Sequence, residues 1–481
     1  RPLVDAWADG LNCYLHTPPE VTPRVLTRFE PWMALTFSEG SIGGDIERIS
    51  LRDLEAFYAT PSATETALAP ESGAFAFEPE PTGSNGIAIA PANTARGRSL
   101  LLINPHTSFF FRAEAQVTSD EGLNAYGAIT WGQFFIYQGF NATAGWMHTS
   151  STVDNIDEFA ETVVMRNDSL FTRYGDGERP VTVSRLTIPF RTDTGMAQRE
   201  FTVYRTHHGP VVRQVGDQWI AVRLMEKPLE ALTQSYSRTK ARNLAEFTAT
   251  MRLHTNSSKN TVYADAEGNI AYFHANFVPR RDPAFDWTRP VDGSNPATAW
   301  GEPLPVEESP NAINPPTGWV QNTNNWPYSA AGDQSPRRDA FAPYVDRGSE
   351  NPRGVHALRL LTDRTDWTLD GLVAAAYSTH LTAFEPLVPV LVRAWERLPA
   401  GSPQRARLAD QVAALKGWDL RWSVESVPTT LAVFWGEEVS RRVGDAARAA
   451  GMGSLAYVAA HAPAGPMLDA LAAVTGTLTP R

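Results

Sequence analysis

The segment Thr82-Gly83-Ser84-Asn85-Gly86 sets a small nucleophile directly after a glycine, where a linker-like stretch gives way to an apolar strand. That is a sterically easy place for a chain to cut itself. If the peptide bond between Gly83 and Ser84 is broken, Ser84 becomes an N-terminal residue. Its own α-amine, with an ordinary pKa of about 7.7–8.0, then serves as general base for its hydroxyl, and no histidine is required. Taken alone, Gly-Ser-Asn-Gly reads as an ordinary turn, so the rest of the chain has to overturn that. Two histidines, His106 and His148, and an asparagine-rich loop around Asn324 supply further polar groups. Each has a structural alternative, since buried imidazoles are commonly just hydrogen-bonded and amides commonly cap turns. Asp154 and Asp157 flank Asn155 and Ile156 and offer two hard oxygen ligands, or else two solvated acids at the start of a helix.

Positioning such groups needs regular elements. Residues 84–280 read as short strands at 86–90, 100–103, 134–137, 181–188, 201–204, 219–224, 261–264 and 270–273, with a hairpin turn at 265–269 joining the last two. Residues 281–352 are irregular and rich in Pro, Asn, Asp and Gly, too long for an idle connection, which favours a functional or surface-wrapping role. From about residue 353 the apolar spacing turns helical, at 369–377, 386–398, 405–415 and 431–450. Ahead of the nucleophile, Leu51–Tyr58 has helical spacing, and residues 59–83 have the composition of an exposed linker. The organisation read from this is 1–58, a spacer at 59–83, and 84–481 carrying the catalytic part.

Composition removes several classes. Hydrophobic residues at 42 % and charged residues at 20 % describe a globular chain rather than a disordered one. A net charge of -11 leaves no basic footprint for nucleic acid. Cys13 is the sole cysteine, so an intrachain disulfide and a thiolate zinc cluster are excluded. No run approaches the roughly 18–20 apolar residues of a membrane-spanning helix. There is no HExxH, GxSxG or Walker A motif. Ser237-Arg238-Thr239-Lys240 fits S-x-x-K, but the SDN and KTG partners of that enzyme class are missing.

Six stretches in order carry a resemblance: Ser84-Asn85 before an apolar strand, Leu102-Ile103-Asn104-Pro105-His106, Gly145-Trp146-Met147-His148-Thr149, Thr206-His207-His208-Gly209-Pro210-Val211-Val212, Tyr263-Ala264-Asp265 through Ile270, and Gly318-Trp319-Val320-Gln321-Asn322-Thr323-Asn324-Asn325. Together they resemble the β-chain of the penicillin acylase family of N-terminal-nucleophile hydrolases. The segments 28–32 and 39–45 suit the end of that family's α-chain. The resemblance implies an α+β fold, a four-layer αββα sandwich with antiparallel sheets. It also implies a shortened precursor, with the front of the α-chain and the tail of the β-chain missing, and α and β chains that stay associated after cleavage.

By the same resemblance, cleavage falls between Gly83 and Ser84, and Ser84 is the nucleophile. Asn324 is the side-chain oxyanion donor, the N–H of Ser150 the backbone donor, His106 a polar support and Arg353 an organiser of the asparagine. Phe109, Phe135, Tyr137, Trp146 and His148 are expected at an acyl pocket favouring an apolar group, while Arg112 could instead answer an acidic one. No cofactor is expected for catalysis; a structural calcium is expected at Asp154 and Asp157, with Asp333 as third carboxylate. The implied substrate is a small N-acyl amide and the implied location periplasmic or secreted, with no nucleic-acid or membrane partner. Two alternatives stand beside this reading: a non-catalytic ligand-binding relative, and an S-x-x-K amidase using Ser237.

Overall fold

In the computed structural model, residues 2–23, 26–36, 42–58, 83–107 and 112–477 are described. Apart from Gly83, the expected spacer lies outside them, as does Phe109. The chain divides into two units, the first Arg1–Glu350 with Leu361–Thr368 and the second Asn351–Leu360 with Leu369–Arg481.

In the first unit the nucleophile strand Gly83–Ile89 is the middle of a three-stranded antiparallel sheet, between Trp319–Asn322 and Leu100–His106. Its register sets Gly83 opposite His106, Ser84 opposite Pro105 and Asn85 opposite Asn104. A seven-stranded antiparallel sheet follows the order Ala312–Ile313, Ile270–Phe273, Lys259–Asp265, Ala144–Ser150, Gln138–Asn141, Leu123–Thr130, Arg112–Ser119. Successive strand side chains point to opposite faces. Met147 and Val262 pack with Ala88 and Val320 of the smaller sheet. Trp146 and Tyr263 pack the other way, with Phe247 and Met251 of the helix Leu244–Met251. The order within this unit is therefore helix, large sheet, small sheet. Gly86 permits the two sheets to meet, since a Cβ there would lie 2.9 Å from Val262 Cγ2 and 3.1 Å from Met147 Cγ.

The segment before the spacer is tied into this unit by buried and half-buried polar contacts. Asp45 accepts hydrogen bonds from Ser257 Oγ at 2.8 Å and Ser258 Oγ at 2.5 Å. Gln133 Nε2 donates to Ala34 O at 3.0 Å, and the Tyr58 hydroxyl donates to Val211 O at 2.7 Å.

Several elements differ from expectation. Residues 134–137 are irregular: Tyr137 N donates to Ala128 O at 2.8 Å, and the strand begins only at Gln138. The strands expected at 181–188 and 201–204 are longer and pair as an exposed ribbon, Thr182–Thr192 against Gly195–Arg205. Helices Pro228–Ser237 and Leu244–Met251 interrupt a region read as strands.

The second unit is helical. Phe384–Glu396, Val427–Ala449 and Ala464–Thr477 enclose Leu387, Leu391, Trp435, Val439 and Leu471. The helix expected at 405–415 is split into Pro403–Arg407 and Ala409–Lys416 at Leu408, whose ψ of 3° is not helical and whose side chain is buried.

Candidate active site

Ser84 enters the small sheet at its first turn of pairing and is only 6 % exposed. Its Oγ lies 2.5 Å from the carbonyl oxygen of Gly83, against the peptide bond it would have to attack. Its backbone N–H donates to Asn324 Oδ1 at 2.6 Å, across 240 residues of sequence. The other end of the same amide, Asn324 Nδ2, donates to Ser150 O at 3.1 Å. One side chain thus bridges the nucleophile and the end of the strand Ala144–Ser150. The sequence expectation concerned the N–H of Ser150; the group that Asn324 meets is its carbonyl.

Asn324 holds this position through a left-handed backbone, φ 64°, which asparagine tolerates better than most residues. The loop is fixed by its own amides. Asn322 Oδ1 accepts from Asn324 N at 3.0 Å and from Thr149 Oγ1 at 2.5 Å. Asn322 Nδ2 donates to Asn325 O at 2.9 Å, and Asn325 Oδ1 accepts from Thr323 N at 3.0 Å. Asn322 and Asn325 are buried and act as positioning residues that sequence reasoning passed over. His106 Nε2 lies 3.1 Å from Asn104 Oδ1 and 3.3 Å from Asn85 Nδ2, so it meets the residue after the nucleophile through the strand pair. Lys259 Nζ donates to Ser150 Oγ at 3.3 Å. Arg353 lies in the helix Pro352–Leu361, in the second unit.

Of the expected pocket residues, Trp146, His148 and Phe135 are buried. Trp146 is fully buried on the helix-covered face of the large sheet, with Nε1 donating to Tyr137 O at 2.9 Å. Thr149 reaches the Asn322 loop, so His148, its neighbour in the strand, points to the opposite face. There His148 meets Tyr137 at 4.9 Å between ring centroids and Thr261 Oγ1 at 3.1 Å. Burial, reinforced by the Arg238 guanidinium, holds its pKa well below the usual value and keeps it neutral. Phe135 packs with Ile42, Met225, Leu232 and Phe277. For the S-x-x-K alternative, Ser237 ends a helix and Lys240 Nζ donates to Glu121 O at 2.9 Å on the surface.

Asp154 and Asp157 meet a cation that the sequence reading did not foresee. Arg281, with its side chain fully buried, lies with Nη1 2.7 and 2.9 Å from the two oxygens of Asp157 and 3.2 Å from Asp154 Oδ2. Its Nη2 donates to Asp154 O at 2.5 Å and to Tyr344 O at 3.1 Å. Arg347 pairs with the same Asp154 oxygen, and Trp300 Nε1 donates to Asp157 Oδ2 at 2.5 Å. Burial pushes Asp154 up to about 6 and raises Asp157, with Arg281 drawing both back. These residues do not fit a calcium ion, because a guanidinium already occupies the place between the carboxylates. Asp333 lies in the short turn Gly332–Gln334 and joins no converging group of three or more potential ligands among the described residues.

The fold is that of the N-terminal-nucleophile hydrolases: a solved thermostable penicillin G acylase from Alcaligenes faecalis, in orthorhombic form, matches with a TM-score of 0.63 over 82 % of this chain and 78 % of that one, at 20 % identity. The chain matches the penicillin amidase family over residues 1–475, and it belongs to that family. Among curated relatives, penicillin G acylase of Escherichia coli is 26 % identical over 365 residues, 73 % of this chain and 40 % of that protein. The acyl-homoserine lactone acylase QuiP of Pseudomonas fluorescens is 24 % identical over 381 residues, 75 % of this chain and 44 % of that protein. The chain thus spans less than half the length of these two relatives.

Proposed function

We propose that this chain carries the catalytic centre of an N-acyl amide hydrolase that activates itself by cleavage between Gly83 and Ser84. The observation that carries the reading is the convergence of Ser84 N, Asn324 and Ser150 O at 2.6 and 3.1 Å from residues far apart in sequence. Before cleavage the Ser84 nitrogen is an amide and cannot accept a proton. Afterwards it is an amine beside its own hydroxyl, in reach of Asn324 Oδ1.

In the mature enzyme Ser84 Oγ attacks the substrate carbonyl carbon while the α-amine takes the hydroxyl proton. The Asn324 amide turns its Nδ2 from Ser150 O to the developing oxyanion, and the amine passes the proton to the leaving nitrogen. An acyl ester on Ser84 remains, which water, deprotonated by the same amine, hydrolyses. The favoured acyl group is apolar, a reading that rests on the resemblance to the penicillin acylase family and is decided by the substrate comparison below.

Asp45, Gln133 and Tyr58 support the further reading that the segment before the spacer stays bound after cleavage. A periplasmic or secreted setting belongs to the same proposal and rests on family membership. Among the described residues no helix is long and apolar enough to cross a membrane.

Intact mass and N-terminal sequencing of the protein expressed from the complete gene, beside Ser84→Ala, test the proposal. A new chain beginning Ser84-Asn85-Gly86, absent in the variant, is expected. A single uncut wild-type chain overturns it. Hydrolysis of phenylacetyl, glutaryl and decanoyl amides then ranks the acyl group, with the glutaryl amide expected to be the poorest.

A further inference from the structure

The turn 206–210 lies outside the Ser84 network and brings two consecutive histidines together. Thr206 N donates to Gly209 O at 2.9 Å, and His208 N donates to Thr206 Oγ1 at 3.1 Å. Gly209, at φ 152°, passes so close to the strand Gln218–Arg223 that a Cβ would fall 1.9 Å from Val222 O, so the turn accepts only glycine there. The imidazoles of His207 and His208 are left 3.8 Å apart between centroids. His208 lies flat on Phe159 at 3.9 Å, and Tyr174 stands edge-on to His207 at 4.7 Å. Opposite them Glu161, at the end of the strand Asp157–Glu161, is fully buried and meets His208 Nδ1 through Oε1 at 2.9 Å.

That single bond leaves much unsatisfied. Among the described residues, Glu161 Oε2, His208 Nε2 and both ring nitrogens of His207 are buried and have no hydrogen-bond partner. Buried polar atoms are nearly always paired, so four together call for a ligand. One ligand atom from each of the three residues lies within 4.8 Å of the others. The backbone closes on the carboxylate, since a Cβ at Gly293 would lie 2.8 Å from Glu161 Oε2.

We propose that Glu161, His207 and His208 form a site for a zinc-type divalent metal, with two imidazoles and one carboxylate as protein ligands and a fourth position left for water. The donor set selects the metal class. Two nitrogens and one carboxylate suit zinc and its late first-row neighbours, whereas calcium and magnesium need several oxygen ligands. Bound there, the ion fastens the turn 206–210 to the strand Asp157–Glu161. It is a structural clamp, not a participant in acyl transfer.

The test uses full-length protein with any affinity tag removed, stripped of metal and titrated with zinc by calorimetry and with cobalt(II) by visible absorption. Saturable binding of one equivalent is expected, with cobalt d–d bands of four-coordinate intensity. His207→Ala removes the least buried ligand, and Glu161→Gln removes the charge while keeping the shape. Each should weaken binding by at least about 100-fold, more than the loss typical of an outer-shell partner, while melting like the metal-free wild type. Cys13, the exposed thiol, is the control, and Cys13→Ser should bind as the wild type does. The proposal is overturned by the lack of one-to-one binding, by unchanged binding in both ligand variants, or by loss of binding in Cys13→Ser.

Discussion

Replacing Arg281 by methionine keeps the unbranched apolar stem of the side chain and removes the charged guanidinium head. In the wild type the guanidinium makes four hydrogen bonds, two to Asp157 Oδ1 and Oδ2 and two to the carbonyls of Asp154 and Tyr344, all away from solvent. It also lies 4.5 Å from the Tyr344 ring and 5.4 Å from the Trp287 ring. Methionine retains part of that packing but leaves Asp157 with Trp300 and Asp154 with Arg347. Removing one partner of a buried ion pair typically costs about 3–5 kcal/mol, because a charge stays buried without its counterpart. The cost depends on pH with a definite sign. Asp154 already titrates at about 6, above its unfolded value, so protonation favours the folded state at low pH and that advantage is lost as pH rises through the folded value. Without Arg281 the folded values rise further. The deficit of Arg281→Met, measured by urea unfolding followed through tryptophan fluorescence, should therefore be several kcal/mol at pH 8 and smaller at pH 5. In Arg281→Ala the vacated oxygens can accept a hard cation, so millimolar calcium should restore part of the stability while leaving the wild type unchanged. A loss below about 1 kcal/mol at pH 8, or a larger loss at pH 5 than at pH 8, would refute the argument.

Two further substitutions probe the catalytic sheet. Asn324→Ala removes the proposed oxyanion donor and should lower kcat by about 10²–10³ in single-substrate kinetics on processed enzyme, with KM changed far less. Gly86→Ala forces a Cβ to within 2.9 Å of Val262 Cγ2, and overpacking of this kind costs about 1–3 kcal/mol; a thermal melt unchanged from wild type would contradict the close approach of the two sheets.

The sequence made the order of elements largely readable, because alternating apolar strands and three-to-four helical spacing are local signals. What it missed was set by distant partners or by overlooked local cues. The helix Leu244–Met251 announces itself through Asn243, whose side chain caps Glu246 N at 2.9 Å in an Asn-x-x-Glu pattern. Strand alternation by itself separates Trp146 and His148 from Met147 and Thr149, so the split of these four between two faces was legible in the residue order. Ser84 could be singled out because a glycine-serine pair at a linker boundary is followed, in order, by the other stretches that carry the family resemblance. Asn322 and Asn325 could not, since asparagines in loops usually serve only their own turn. Arg281 was invisible for a stronger reason. It lies 124 residues from Asp157, and arginine is almost never fully buried unless paired, so only the fold reveals where its charge is spent.

The need for glycine where the two sheets meet has a chemical side effect. Gly86 follows Asn85, and an asparagine before glycine is the pair that most readily closes to a succinimide and ages into aspartate, because nothing shields the glycine nitrogen. Here the strand restrains that reaction. Asn85 is paired with Asn104 and Gly86 with both Ile103 and Asn322, which keeps the backbone extended and the nitrogen away from the side-chain carbon. Shelf life next to the nucleophile is thus governed by how seldom this sheet opens.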